Sequence, residues 1–510
     1  MRSAIAGLYS ASFGRGTTQA DRPVRSATYA TRGLVIAPQP LAAETGLDVL
    51  QSGGTAADAI IAASGLLCVS DPVRVGLGGH LTALCYDGGS QETIALQSIG
   101  RRVGETAVPG LVDGWDALHG RFGRKPLADL LTPAIERAEA GVPIGDAAAR
   151  VWRREAAGFL RRREPAATPE TVLPLLPGHT APQPGQIFTR PELAATLRLI
   201  ALRGRAPLYE GSLATPLLET LNAAADGDRL TSDQLADRIP QWLPPLAVDY
   251  RGRTIATGPR GEPMLEALQL LSRYQVGSLG SDPSDVAHLL LEADRVARLD
   301  PAAGGDRLNL SRAIARRRLI DPNRSHALAG DPLPETSIGS GLGLIAVDAD
   351  GNVCAAATGL GQPFGCGRTL PSTGILLPAA DATWPLPLLV LDRGEPTAAL
   401  TVSGPGEPSR LALQAVTALL DFGRSATGIV DAARIDRIDG STALRIEDDF
   451  SLEARATLAR RGYDLLEPFG DSQSERQPPL GRVQVVTRRP IFGTLAGSAD
   501  PRGDGAAAGY

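Results

Sequence analysis

Residues 342–357 run Leu342-Gly343-Leu344-Ile345-Ala346-Val347-Asp348-Ala349-Asp350-Gly351-Asn352-Val353-Cys354-Ala355-Ala356-Ala357. Two apolar runs flank an acidic, glycine-containing break, which predicts strand, tight turn, strand. Before it, Glu335 to Gly341 is polar and glycine-rich and reads as a loop. Towards the C-terminus, Leu388–Asp392 and Thr397–Val402 form a second hairpin around Arg393-Gly394. Leu411–Leu420 reads as a helix, and Val483–Val486 and Leu495–Ala499 as closing strands. Towards the N-terminus the period becomes helical over Pro263–Asp300, Leu208–Leu235 and most of Pro109–Ile200. Leu81–Tyr86 and Glu92–Gln97 make another hairpin around Asp87-Gly88-Gly89. Gly33–Pro38 is a short strand, and Leu41–Gln51 is a helix stopped by Gly53-Gly54. Asp58 is the expected N-cap of a buried helix that stays uncharged from Ala59 to Ser70. A strand-rich final third after a helix-rich middle predicts a layered α+β architecture. Residues 1–32 show no periodicity and read as a mobile leader.

Composition narrows the function classes. The chain has 510 residues, 43% hydrophobic and 21% charged, with a net charge of −5. The only lysine, Lys125, lies in a turn-like Arg124-Lys125-Pro126, so Schiff-base chemistry has one candidate. No basic block marks a nucleic-acid surface. Cys68, Cys85, Cys354 and Cys366 form no CxxC pair, and the five histidines form no HExxH pair, so no metal site is expected. Gly76-Leu77-Gly78-Gly79 and Gly404-Pro405-Gly406 lack the spacing of nucleotide-binding loops. No run reaches the roughly 18 apolar residues of a membrane span. Ala4–Tyr9 is shorter than a secretory core of about 7–15 residues. Cytoplasm is therefore favoured over periplasm.

Seven passages in order carry a resemblance. They are Pro40-Leu41-Ala42 through Gly53-Gly54-Thr55-Ala56-Ala57-Asp58-Ala59, then Gly76-Leu77-Gly78-Gly79, then Val108-Pro109-Gly110 with Gly114-Trp115 and Phe122-Gly123-Arg124. His288-Leu289-Leu290-Leu291-Glu292-Ala293, Val347-Asp348-Ala349-Asp350-Gly351-Asn352 and Gly374-Ile375-Leu376-Leu377 follow, and Ala499-Asp500-Pro501-Arg502 through Tyr510 closes the series. Together they resemble the gamma-glutamyltransferase (gamma-glutamyltranspeptidase, glutathione hydrolase) family. The resemblance implies a four-layer αββα N-terminal-nucleophile fold. It also implies a large-subunit-like region, 33–339, associated with a small-subunit-like region, 340–510, in one composite domain. Family members cut themselves, and the freed hydroxyl residue attacks an amide with its own α-amine as base. No cofactor is implied, and the partner is a small amide or peptide substrate.

Carried over residue by residue, the family's site falls on unusual positions. Its nucleophile falls on Gly341, which has no hydroxyl; Ser340, one residue earlier, is the candidate nucleophile. Most of the chain is therefore expected to stay uncut. The arginine that clamps the substrate α-carboxylate falls on Ser98, with Arg101 as a nearby substitute. Asp381 is the candidate for the substrate α-amine. The oxyanion loop reads Pro405-Gly406-Glu407-Pro408-Ser409-Arg410, leaving Gly406 as the donor. The first expectation is thus a family protein whose γ-glutamyl transfer or hydrolysis is weakened or redirected to another amide. The alternative is an uncleaved, inactive relative acting as a binding or interaction protein.

Overall fold

The computed structural model describes residues 25–161, 175–176, 178, 180–224, 227, 229–279, 283–299, 307–326, 341–380, 385–404, 407–438, 440–466, 480–489 and 491–510. Two seven-stranded sheets, antiparallel at every pairing, form its centre. The first runs Ala506–Gly509, Leu34–Ala37, Leu342–Val347, Val353–Gly359, His80–Asp87, Glu92–Ser98 and Gln241–Leu243. The second runs Thr28–Ala30, Thr494–Ser498, Arg482–Arg489, Glu395–Ser403, Leu386–Asp392, Arg253–Thr257 and Leu246–Tyr250. Each sheet takes strands from both sides of residue 340.

The two-residue period of the strands explains the layering. Leu34, Ile36, Ile345, Val347, Val353 and Ala355 meet Leu389, Leu391, Ala399 and Val486 between the sheets. Their neighbours Val35, Ala37, Leu344, Ala346, Cys354 and Ala356 face outward into a helical layer. Helices Pro40–Gln51, Ala56–Ser70, Leu111–Phe122, Leu127–Ala140 and Pro191–Arg203 cover that side. On the second sheet, Ile255, Leu388, Val390, Leu400 and Val485 face helices Glu262–Leu271, Pro283–Arg298 and Pro408–Leu420. The order is helix, sheet, sheet, helix.

Three expectations change. Thr55, not Asp58, is the N-cap of the buried helix. Thr55 accepts the Asp58 N–H, and Asp58 at the third helical position accepts the Thr55 N–H, a reciprocal capping box. Ordered structure begins before residue 33, because Thr28–Ala30 pairs with Leu495–Gly497. The hairpin Leu246–Tyr250/Arg253–Thr257 has no counterpart in the sequence reading. Its turn places Arg251 and Gly252 at φ +54° and +74°, so Arg-Gly between alternating runs was the available signal.

Three of the motifs that carry the resemblance meet at one end of this sandwich. Asp348 accepts hydrogen bonds from the Ala56 N–H (2.9 Å), the Asn352 side chain (2.8 Å) and the Asp350 N–H (3.0 Å). Asp58 accepts from the N–H groups of Arg124 and Lys125. Arg124 reaches Asp350 at 2.8 Å. The helix start, the Gly-Arg turn and the acidic hairpin are thus one polar knot.

Candidate active site

The opposite end of the sandwich holds the candidate site. Sheet register brings four strand ends into a row. Leu342 pairs with Thr358, Gly359 with His80 and Leu81 with Ser98. Gly341, Gly359, His80 and Ser98 therefore lie side by side. Gly79 turns sharply into this row; a Cβ there would sit 2.5 Å from the Gly359 carbonyl oxygen, so the Gly-rich turn is a close-approach requirement.

Period two gives each side chain its face. The Cβ direction at Gly341 points into the space between the sheets, towards Pro385 at the start of strand Leu386–Asp392. A Cβ at Gly341 would overlap Pro385 Cδ and Cγ and lie 3.3 Å from the Thr358 carbonyl oxygen. Thr401 and Gln484 occupy the intersheet layer just inside, replacing the hydrocarbon found deeper. His80 shares the parity of Leu84 and Tyr86, so it also faces the second sheet. It is 1% exposed, and its Nδ1 accepts the Gly100 N–H at 3.3 Å. Burial, then the positive charges of Arg238 and Arg260, push its pKa down to about 3, so the imidazole is neutral.

Ser98 shares the parity of Leu96 and faces the helical layer instead. It is fully buried, and its hydroxyl donates to the Gly110 carbonyl at 2.6 Å. Arg238 approaches the same hydroxyl at 3.5 Å but is held by Asp113, which also binds Arg205 at 2.6 Å. Arg101 is exposed and lines a groove of about 380 Å³ with Gln97, Ile99, Arg238 and Gln241.

The loop after strand Glu395–Ser403 shows why Glu407 and Pro408 are there. Glu407 is the N-cap of helix Pro408–Leu420 and accepts from the Ser409 N–H (3.2 Å) and Ser409 hydroxyl (2.9 Å). Pro408 is the first helical residue, where a missing N–H costs nothing. Arg298 lies 3.3 Å from the Glu407 carboxylate. Burial would raise the Glu407 pKa, but Arg298 and then Arg410 hold it below the usual carboxylate value. Arg410 is a buried structural residue, bonded to Asp294 (2.8 Å), Asp436 (2.6 Å) and the Arg437 carbonyl (2.5 Å).

Ser340, Asp381 and Gly406 lie outside the described residues. Of the described candidates, Arg101 sits in the outer groove and Ser98 in the row itself. His80 and Arg260 were missed. His80 directly follows the Gly76–Gly79 motif, which was the signal for it.

Among the described residues no cluster of three or more His, Cys, Asp or Glu side chains is placed to hold a metal ion. No described helix is long and apolar enough to cross a membrane.

The profile of the gamma-glutamyltranspeptidase family matches residues 42–102, 92–381 and 383–510. The chain belongs to the gamma-glutamyltranspeptidase family. It is 30% identical to the glutathione hydrolase-like YwrD proenzyme of Bacillus subtilis, over 94% of this chain and 98% of that one. It is 29% identical to the acylase ACY 1 proenzyme of a Pseudomonas species, over 93% of each chain. The cephalosporin acylase of Bacillus halodurans superposes with a TM-score of 0.84 at 26% identity, covering 98% of this chain and 99% of that one. The αββα layering is thus the N-terminal-nucleophile fold of gamma-glutamyltranspeptidase-family proteins, and the expected family and fold both hold.

Proposed function

We propose that this family member acts as an amide hydrolase whose acyl group is not γ-glutamyl. One observation carries the reading: the position of the family's clamping arginine is Ser98, neutral, buried and bonded to Gly110. A serine hydroxyl cannot make the planar two-point contact of a guanidinium. A relative named as an acylase, at 29% identity over nearly the whole chain, supports the same direction.

In this reading the chain cuts between Gly339 and Ser340. The new Ser340 α-amine takes the proton from the Ser340 hydroxyl as its oxygen attacks the amide carbonyl. The C–N bond breaks, the amine leaves with that proton, and water releases the acid from the ester. Gly406 N–H is the oxyanion donor.

A second reading, an uncleaved binding protein, draws on the packing of Gly341 under Pro385. A denaturing gel with N-terminal sequencing separates the two. The first reading expects a new N-terminus at Ser340 and hydrolysis of neutral or acidic acyl anilides in preference to the γ-glutamyl anilide, lost in Ser340→Ala. A single 53.1 kDa band with no anilide hydrolysis overturns it.

A further inference from the structure

Two cysteines from opposite halves of the chain face each other in the first sheet. Cys85 lies on strand His80–Asp87 and Cys354 on strand Val353–Gly359, and the register of this antiparallel pair sets them directly opposite. Opposed residues share one face of a sheet, and here it is the face turned to the helical layer. Their sulfur atoms are 3.5 Å apart. Among the described residues, Cys68 and Cys366 have no cysteine partner.

The backbone already holds the spacing of a covalent link. Opposed Cα atoms in an antiparallel ladder lie about 4.5 or 5.5 Å apart, according to the type of pair, and disulfides span roughly 4.4–6.8 Å. The pair also lies close to the rim of the sheet. One rung further on, Tyr86 stands opposite Val353. Beyond it the Gly88 N–H donates to the Asn352 side chain at 2.8 Å, where the turns close both strands. Cys85 and Cys354 are buried, 3% and 1% exposed, so the reagent that reaches them has to be small.

We propose that Cys85 and Cys354 are a modification site: on two-electron oxidation by a peroxide they close to a disulfide that joins the 33–339 region to the 340–510 region. One thiolate sulfur attacks a peroxide oxygen and becomes a sulfenic acid, and the released hydroxide takes up the proton that thiol lost. The second sulfur then attacks the first; its proton leaves with the sulfenic hydroxyl as water, and the S–S bond forms. Two thiols and one hydrogen peroxide thus give one disulfide and two waters. The contact with Cys85, and then burial, hold the Cys354 pKa well above the usual thiol value. The reaction is therefore slow at neutral pH and suits a lasting link better than a fast sensor. The disulfide stands without the amide-hydrolase reading. Its role after a cut between Gly339 and Ser340, holding two separate pieces together, rests on that reading.

The test treats the folded full-length protein with hydrogen peroxide, quenches with catalase, and alkylates the remaining thiols in denaturant before peptide mapping without reductant. Wild type should yield a linked peptide pair containing Cys85 and Cys354 that separates on reduction. Cys366→Ser should yield it equally, and Cys354→Ser should not. Recovery of Cys85 and Cys354 from wild type as alkylated thiols or sulfinic acids, or linkage of either to Cys68 or Cys366, overturns the proposal. On a denaturing gel the oxidised protein should run as one band that separates into two on reduction. One band under both conditions, with the linked peptides present, overturns the amide-hydrolase reading and leaves the disulfide in place.

Discussion

Gly341 and Pro385 are in direct contact across the two sheets, and the ring of Pro385 fills the place a side chain at 341 would take. Position 341, onto which the resemblance carries the family's nucleophile, is therefore closed by packing as well as without a hydroxyl. Gly341→Ala should destabilise the protein by about 1–3 kcal/mol, the usual cost of overpacking. Gly341→Thr alone should produce no cut at 341. Adding Pro385→Gly should recover much of the lost stability in urea unfolding. An unchanged midpoint for Gly341→Ala would show that Pro385 yields freely.

The arginine network under the Glu407 loop sets an acid limit. Burial alone would raise the Asp294 pKa, yet Arg298 and Arg410 bring it down to about 2 from 3.8. A depressed carboxylate stabilises the fold above its unfolded pKa, and that stability is lost as pH falls through the folded value. The contribution is about 2 kcal/mol, complete above roughly pH 4 and gone near pH 2. Asp294→Asn leaves Arg298 and Arg410 short of a buried partner and should cost about 3–5 kcal/mol at neutral pH. A loss under 1 kcal/mol in denaturant titration would contradict this.

His80 should be silent between pH 5 and 8. Its folded pKa, about 3, lies below the usual 6.5, because burial and then Arg238 and Arg260 disfavour the cation. The unfolded chain takes up this proton first as pH falls. Stability from His80 is thus full above about pH 6.5 and declines towards pH 3. Carbon-labelled histidine NMR should find one imidazole that does not titrate above pH 5 and that disappears in His80→Gln.

The polar knot at the far end should matter to folding in a graded way. Asp348→Ala strands the Ala56 N–H and the Asn352 amide in buried or half-buried positions, at about 1–3 kcal/mol for each buried group. Asp350→Ala removes an exposed pair with Arg124 and should cost no more than about 1 kcal/mol. Equal effects in thermal unfolding would refute the distinction between buried and exposed members.

The legible residues were mostly those of the knot. Val347–Asn352, Thr55–Asp58 and Phe122–Arg124 are short, local patterns, and each has a local hydrogen-bonding reason. They mark the fold strongly and lie away from the site. The site was hard to read because its members come from distant places: Gly341, Gly359, His80 and Ser98 lie in one row only through sheet register, with Pro385 over Gly341. A one-residue shift of a strand reverses the face of every side chain, and no pairwise spacing in the sequence records it.

The sequence by itself determined the alternating strands, the buried uncharged helix and the family's order of motifs. It also determined that position 341 has no hydroxyl and position 98 no guanidinium. Only the tertiary structure decided that Ser98 faces the helices, that Glu407 and Pro408 begin a helix, and that Pro385 covers Gly341. Local pattern depends on the chain's own period, which neighbouring residues record. Orientation and closure depend on which two sheets face each other, and that is settled by burial of Ile345, Val347, Leu389 and Val486 between them.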